Sequence, residues 1–248
     1  MTRDAMKSTL LALTFLLAWT GAHAADATEA PAPTFVEGTH YKLVPKPETH
    51  LNPKKVEVEE YFWYGCPHCY RFEPLITPWL EKKPAEVMFT RIPHNMGRST
   101  GEMHATAYHM AELLNIVKLI HQPMYHAIQE DKKNMDTLAD ICELFGKVAG
   151  VTDDACRSAA TADEVQERLR SDDFLIHRYG VINTPTIVVD GKYLTTAVMA
   201  GGMDKLLPVV DFLIEKQKAA RGIKSAPVPV EIAPDNGPPK PGAPPAPF

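Results

Sequence analysis

The chain has 248 residues, 45% hydrophobic and 23% charged, with a formal net charge of -5 at pH 7. That balance fills a globular core and argues against a disordered or fibrous chain. An acidic chain of this kind offers no basic surface for phosphates, so nucleic acid is not an expected partner.

Arg3 and Lys7 precede an apolar run over residues 10–19, broken by Thr14 and closed by Ala22-His23-Ala24. A charged start, a short apolar stretch and an A-x-A close read as a secretory signal peptide over residues 1–24. The run is short for a membrane span, so the mature protein is expected to be exported and soluble. Residues 25–34 read as a flexible leader. Residues 37–44 read as a short strand and 56–64 as a strand rich in β-branched and aromatic residues. Residues 66–80 read as a helix bent or interrupted by Pro74 and Pro78, and 87–92 as a strand. Helical spacing then takes over, through Met103, Ala107, Met110, Leu114 and Val117, and again through Leu138, Ile141, Cys142, Phe145 and Val148. Residues 186–189 form a strand, Asp190-Gly191 a hairpin turn and 192–195 the partner strand. A last helix over 203–216 contains Pro208, which disfavours its first half. Residues 223–248 read as a Pro-rich disordered tail, with nine prolines from Ala226 to Phe248. The order is α/β: a thioredoxin-like fold over 35–96 and 181–222, with an all-helical domain inserted over 97–180.

Four cysteines are present, at 66, 69, 142 and 156. A C-x-x-C pair serves either redox exchange or half of a zinc site. Cys142 and Cys156 do not supply the second half, and Tyr70 after Cys69 rules out the C-x-x-C-H haem pattern. Redox exchange remains, with no metal or cofactor expected. The motif Cys66-Pro67-His68-Cys69 follows a strand and opens a helix. Cys66 then sits where free N–H groups and the helix dipole favour a thiolate. Cys69, one turn on, is expected to be more buried and to resolve the mixed disulfide. His68 is expected to add a positive charge or a hydrogen bond to the Cys66 sulfur.

Alternation places Glu60 on the apolar side of its strand with Val56, Val58 and Phe62. An unpaired carboxylate there is costly, so Glu60 is a candidate proton carrier for Cys69. Cys142 and Cys156 flank a helix break, with Gly150 as a helix end and Thr152 as a cap. A structural disulfide between them is favoured over a second redox pair or two buried thiols. His104 and His109, like His121 and His126, are five apart and miss the i,i+4 spacing of a helical metal site. They read as ordinary surface or core residues.

The stretch Glu60-Tyr61-Phe62-Trp63-Tyr64-Gly65-Cys66-Pro67-His68-Cys69-Tyr70-Arg71-Phe72-Glu73 closely resembles the active-site region of the DsbA family of periplasmic dithiol oxidases. Tyr179 to Thr186 and Val189 to Tyr193 resemble that family's cis-proline loop and hairpin, and the resemblance covers roughly residues 35–217. It implies that Cys66 accepts electrons from reduced, unfolded exported proteins and that Glu60 is the buried acid. Pro185 would be the cis-proline facing the disulfide, with Thr184 before it tuning reactivity and release. A DsbB-type membrane partner, linked to quinones, would reoxidise the protein, which is expected to be monomeric. The competing readings are a disulfide isomerase or reductase of the same fold, and a non-enzymatic, chaperone-like peptide-binding module. Exported isomerases usually add an N-terminal dimerisation domain, for which about thirty residues before the catalytic strand leave no room.

Overall fold

A computed structural model describes residues 34–47 and 52–224. The expected signal peptide, the leader up to residue 33 and the Pro-rich tail from residue 225 lie outside the described residues. The chain runs through β1 (Lys42–Leu43), β2 (Val56–Phe62), α1 (Pro67–Lys82) and β3 (Val87–Pro93). Five helices follow: α2 (Ser99–Leu113), α3 (Val117–Gln129), α4 (Leu138–Ala149), α5 (Asp153–Ala160) and α6 (Asp163–Tyr179). It returns with β4 (Thr186–Val189), β5 (Tyr193–Thr196), α7 (Ala197–Ala200) and α8 (Leu206–Arg221). The strands form one sheet in the order β1-β5-β4-β2-β3. β2 and β3 are parallel, as the crossover through α1 requires, and the other pairs are antiparallel. This is a thioredoxin-like α/β fold with helices inserted between β3 and β4.

Alternation along β2 sets what each face meets. Val56 and Val58 pack with Phe72 and Ile76 of α1 and with Val209 and Leu213 of α8. Tyr61 points the other way, toward Ile176 and Tyr179 of α6. Each such side chain, fully buried, contributes about 1.5–3 kcal/mol. Phe62, at the carboxyl end of the strand, enters a cluster with Tyr108, Met124 and Tyr125 that also holds Cys69. The helical block therefore docks where β2 hands over to α1.

Several elements differ from their sequence reading. The first strand shrinks to two residues, because Gly38, at φ 82°, turns the chain and leaves an isolated bridge between Glu37 and Tyr41. α1 runs unbroken through Pro74 and Pro78. Both lie on its exposed side, one turn apart, where carbonyls freed by the missing N–H groups meet water, while Cys69, Phe72, Glu73 and Ile76 hold the buried side. Pro208 falls at the third position of α8, where an N–H has no intrahelical acceptor to lose. The hairpin turn has Asp190 and Gly191 at φ 52° and 53°, closed by the Lys192 N–H on Val189 O. The α4–α5 reversal uses Gly150 at φ 69° and Thr152 Oγ1, which accepts from the Ala155 N–H. It brings Cys142 and Cys156 into a disulfide with a Cα–Cα distance of 5.6 Å.

Candidate active site

Between β2 and α1 the chain makes a tight turn. Cys66 is the N-cap residue, at φ -87° and ψ 115°, and Pro67 takes the first helical position, where no N–H is needed. The Cys66 N–H donates to Trp63 O at 2.9 Å. Gly65 is dictated by its neighbour: an added Cβ would lie 2.2 Å from the Trp63 ring. That ring is in turn fixed by its Nε1–H, which donates to His104 Nδ1 at 3.1 Å.

Cys66 and Cys69 are both thiols here. Cys66 keeps 7% of its surface exposed and Cys69 none. The Cys69 S–H, the Thr184 side chain and the backbone N–H groups of Cys69 and His68 all point at the Cys66 sulfur. Against the opposing effect of burial, they draw its pKa down to about 5. Cys69 moves the other way, pushed well above the usual thiol range by burial and by its bond to Cys66. One sulfur is thus prepared as a nucleophile and the other as a proton holder. As a thiol, Cys66 donates to Thr184 O at 3.3 Å. The Thr184–Pro185 bond is cis and Pro185 is buried. Ile182, on the same loop, is 79% exposed. The His68 side chain faces solvent, and its Nδ1 accepts from Arg71 Nη2 at 2.8 Å. What this residue offers Cys66 is its backbone N–H.

Below the cysteines lies a buried ion network. Glu60, with no exposed surface, accepts on Oε2 from Arg91 Nε at 3.0 Å, while Oε1 has no partner. Burial raises its pKa to about 7, against the pull of Arg91 and with a push from Glu73. Arg91 Nη2 also reaches Glu73 at 3.2 Å. Burial alone would raise the Glu73 carboxyl, but donors from His121 and Arg91 outweigh it and hold the group below its usual range. Tyr64 Oη lies 2.9 Å from His121 Nδ1.

The fold therefore brings Cys66, Cys69, Pro67, His68, Glu60, Thr184 and Pro185 into one region. Cys142 and Cys156 meet each other at the α4–α5 turn. Sequence reading missed Arg91, Glu73, His121 and Gln122. His104, His109 and His121 are buried and paired, whereas His126 is exposed. His94 sits at the end of β3, its N–H donating to Phe62 O at 2.7 Å, beside a cavity of about 530 Å³ shared with Ile182. Among the described residues no group of three or more His, Cys, Asp or Glu is arranged to hold a metal, and no helix is long and apolar enough to cross a membrane.

A family model described as "Thioredoxin" matches residues 53–208. The thiol:disulfide interchange protein DsbA of Pseudomonas aeruginosa is 35% identical over 192 residues, covering 77% of this chain and 90% of that protein. The chain belongs to the DsbA family. DsbA of Pseudomonas syringae pv. tomato is 37% identical over 168 residues, covering 68% of this chain and 78% of its own. The crystal structure of Pseudomonas aeruginosa DsbA superposes with a TM-score of 0.71 at 33% identity, over 76% of this chain and 97% of that one. DsbA from Xylella fastidiosa gives 0.69 at 26% identity, over 76% and 99%. This DsbA-family chain is a thiol:disulfide oxidoreductase, and its partners in exchange are proteins.

Proposed function

We propose that this enzyme is a periplasmic dithiol oxidase, donating a Cys66–Cys69 disulfide to reduced, newly exported proteins. The observation that carries the reading is the set of donors converging on the Cys66 sulfur, with its pKa near 5. A thiolate so stabilised favours the reduced form and makes the disulfide a ready acceptor of electrons.

A substrate thiolate attacks Cys66, forming a mixed disulfide and expelling Cys69 as a thiolate. Cys69 takes the proton held by Glu60. A second substrate thiolate then attacks the substrate sulfur of the mixed disulfide and releases the Cys66 thiolate. The substrate dithiol has lost two electrons and two protons; the electrons reside on the Cys66 and Cys69 sulfurs, one proton replaces the one Glu60 passed to Cys69, and the other leaves to solvent. The Thr184–Pro185 loop offers backbone beside Cys66 for an extended substrate segment. Cys142–Cys156 is a structural disulfide that does not turn over. A DsbB-type membrane protein linked to quinones restores the Cys66–Cys69 disulfide, and the enzyme works as a soluble monomer after cleavage of residues 1–24.

The test is oxidation of a reduced, denatured disulfide protein by the oxidised enzyme. Cys66→Ser should abolish it. Full oxidase activity in that variant, or a measured potential near that of cytosolic reductants, would overturn the proposal.

A further inference from the structure

Tyr64 and His121 take no part in the exchange described above, yet Tyr64 bonds to His121 and His121 to the carboxylate of Glu73, one helical turn beyond Cys69. Glu73 is saturated with donors. Its Oε1 accepts from His121 Nε2 at 3.1 Å and Arg91 Nη2 at 3.2 Å, and its Oε2 from Gln122 Nε2 at 2.9 Å and Arg91 Nη2 at 3.4 Å. Glu60 has one donor, Arg91 Nε, and a bare Oε1. A single guanidinium serves both groups. A second, uncompensated buried anion is strongly disfavoured, so near neutral pH one of the two holds a proton. Hydrogen bonds to the charged form decide which one.

His121 can donate to Glu73 only with its proton on Nε2, which leaves Nδ1 to accept from the Tyr64 hydroxyl. Aromatic rings of Phe62, Tyr64, Tyr108 and Tyr125 surround the imidazole and fix its plane. Burial keeps the ring neutral and the Tyr64 hydroxyl protonated. The groups acting on Glu60 are Arg91 from β3, Cys69 and Glu73 from α1, Tyr108 from α2 and Tyr125 from α3, while β4 places Ile187 opposite it; His121 reaches it only through Glu73 and Arg91. Tyr108 and Tyr125 stay protonated through burial.

We propose that His121, oriented by Tyr64, is a positioning residue that holds Glu73 as a permanent anion and so reserves the exchangeable proton for Glu60. The inference rests on the reading of Glu60 as the proton carrier for Cys69. It gives the buried histidine a task in the reaction without contact with substrate.

Site-resolved carbon NMR of the glutamate carboxyls tests it. In the unaltered protein the Glu60 carboxyl should titrate near neutral pH and Glu73 should stay ionised. In His121→Phe, Glu73 should titrate at least one pH unit higher and Glu60 at least one unit lower. His121→Gln, which keeps an N–H donor, should restore the original pattern. A folded His121→Phe protein with both midpoints unmoved would overturn the inference. Nitrogen NMR of His121 needs no substitution: a neutral ring protonated on Nε2 across neutral pH is expected, and a cationic ring or the Nδ1–H tautomer overturns the inference even if His121→Phe fails to fold. Absence of any neutral-range Glu60 titration in the unaltered protein would bring down the underlying reading as well. A normal Glu60 titration that ignores His121 would bring down this inference alone.

Discussion

Lowering the pH should change the number of protons that accompany each pair of electrons into the Cys66–Cys69 couple. Cys66 titrates near 5 and Cys69 well above the usual thiol range. Between about pH 5 and the Cys69 titration, reduction therefore takes up two electrons and one proton, and the potential should fall by about 30 mV per pH unit. Below the Cys66 titration both sulfurs are protonated on reduction, and the slope should double to about 59 mV. At pH 7 the thiolate lies about two units above its titration point, which stabilises the reduced form by about 2.7 kcal/mol. That raises the potential by about 60 mV over the same site with a Cys66 thiol that keeps its proton. The sign follows from a depressed pKa: the advantage is present above the folded value and lost as pH falls through it. Equilibration with glutathione buffers from about pH 4 to 8, read by mass after thiol alkylation, separates this pair from Cys142 and Cys156. Repeating the titration in Glu60→Gln removes the carboxyl that itself titrates near 7. A slope near 59 mV per unit between pH 6 and 7 would refute the argument, because it would mean a protonated Cys66.

Gly65→Ala puts a methyl 2.2 Å from the Trp63 ring and should cost about 1–3 kcal/mol in denaturant unfolding, with a change in indole fluorescence. Replacing Cys142 and Cys156 together by Ala should cost about 3 kcal/mol, since they close a loop with a sequence separation of 14. The Cys66 titration, followed by thiolate absorbance, should not move. His109 lies between Asp172 at 2.6 Å and Glu112 at 2.8 Å, and these bonds raise its pKa above the usual 6.5 despite burial. Its contribution to stability is complete below about pH 6.5 and fades as pH rises through the elevated value. The stability gap between the unaltered protein and His109→Gln should therefore narrow at alkaline pH. An equal gap at pH 6 and pH 9 would show that the charge is not what matters.

Much of the site was legible because period-two alternation and helix-start chemistry are local. Glu60 was visible as a carboxylate in the apolar phase of β2. The same reasoning reaches Arg91, which shares the phase of Val87 and Phe89 on β3 and stands in register with Glu60. It reaches Glu73 too, one turn beyond Cys69 on the buried side of α1. His121 and Gln122 were beyond such reasoning, because only the docking of α3 against α1 brings them to Glu73. His68 was misjudged for a different reason. At the start of a helix the N–H groups converge on the N-cap while side chains splay outward, so proximity in the motif did not predict where the ring would point. The prolines of α1 looked like breaks because sequence does not show that both fall on the wet side.

The acceptor of the Cys66 thiol, Thr184 O, lies 118 positions further along the chain. A chain emerging from its amino end carries the tetrapeptide long before it carries the loop that completes it, with six helices, α1 to α6, to be made in between. Until β4 pairs with β2, the Cys66 sulfur has the groups of its own helix start, Cys69 and the His68 N–H, but lacks the Thr184 contacts. The contacts with Thr184 are closed by the β2–β4 pairing, whose partners Val58 and Val189 stand 131 positions apart, and such a long-range pairing is slow to form on entropic grounds. Such an ordering leaves the enzyme, early in its own folding, in the chemical condition of the chains it is proposed to serve.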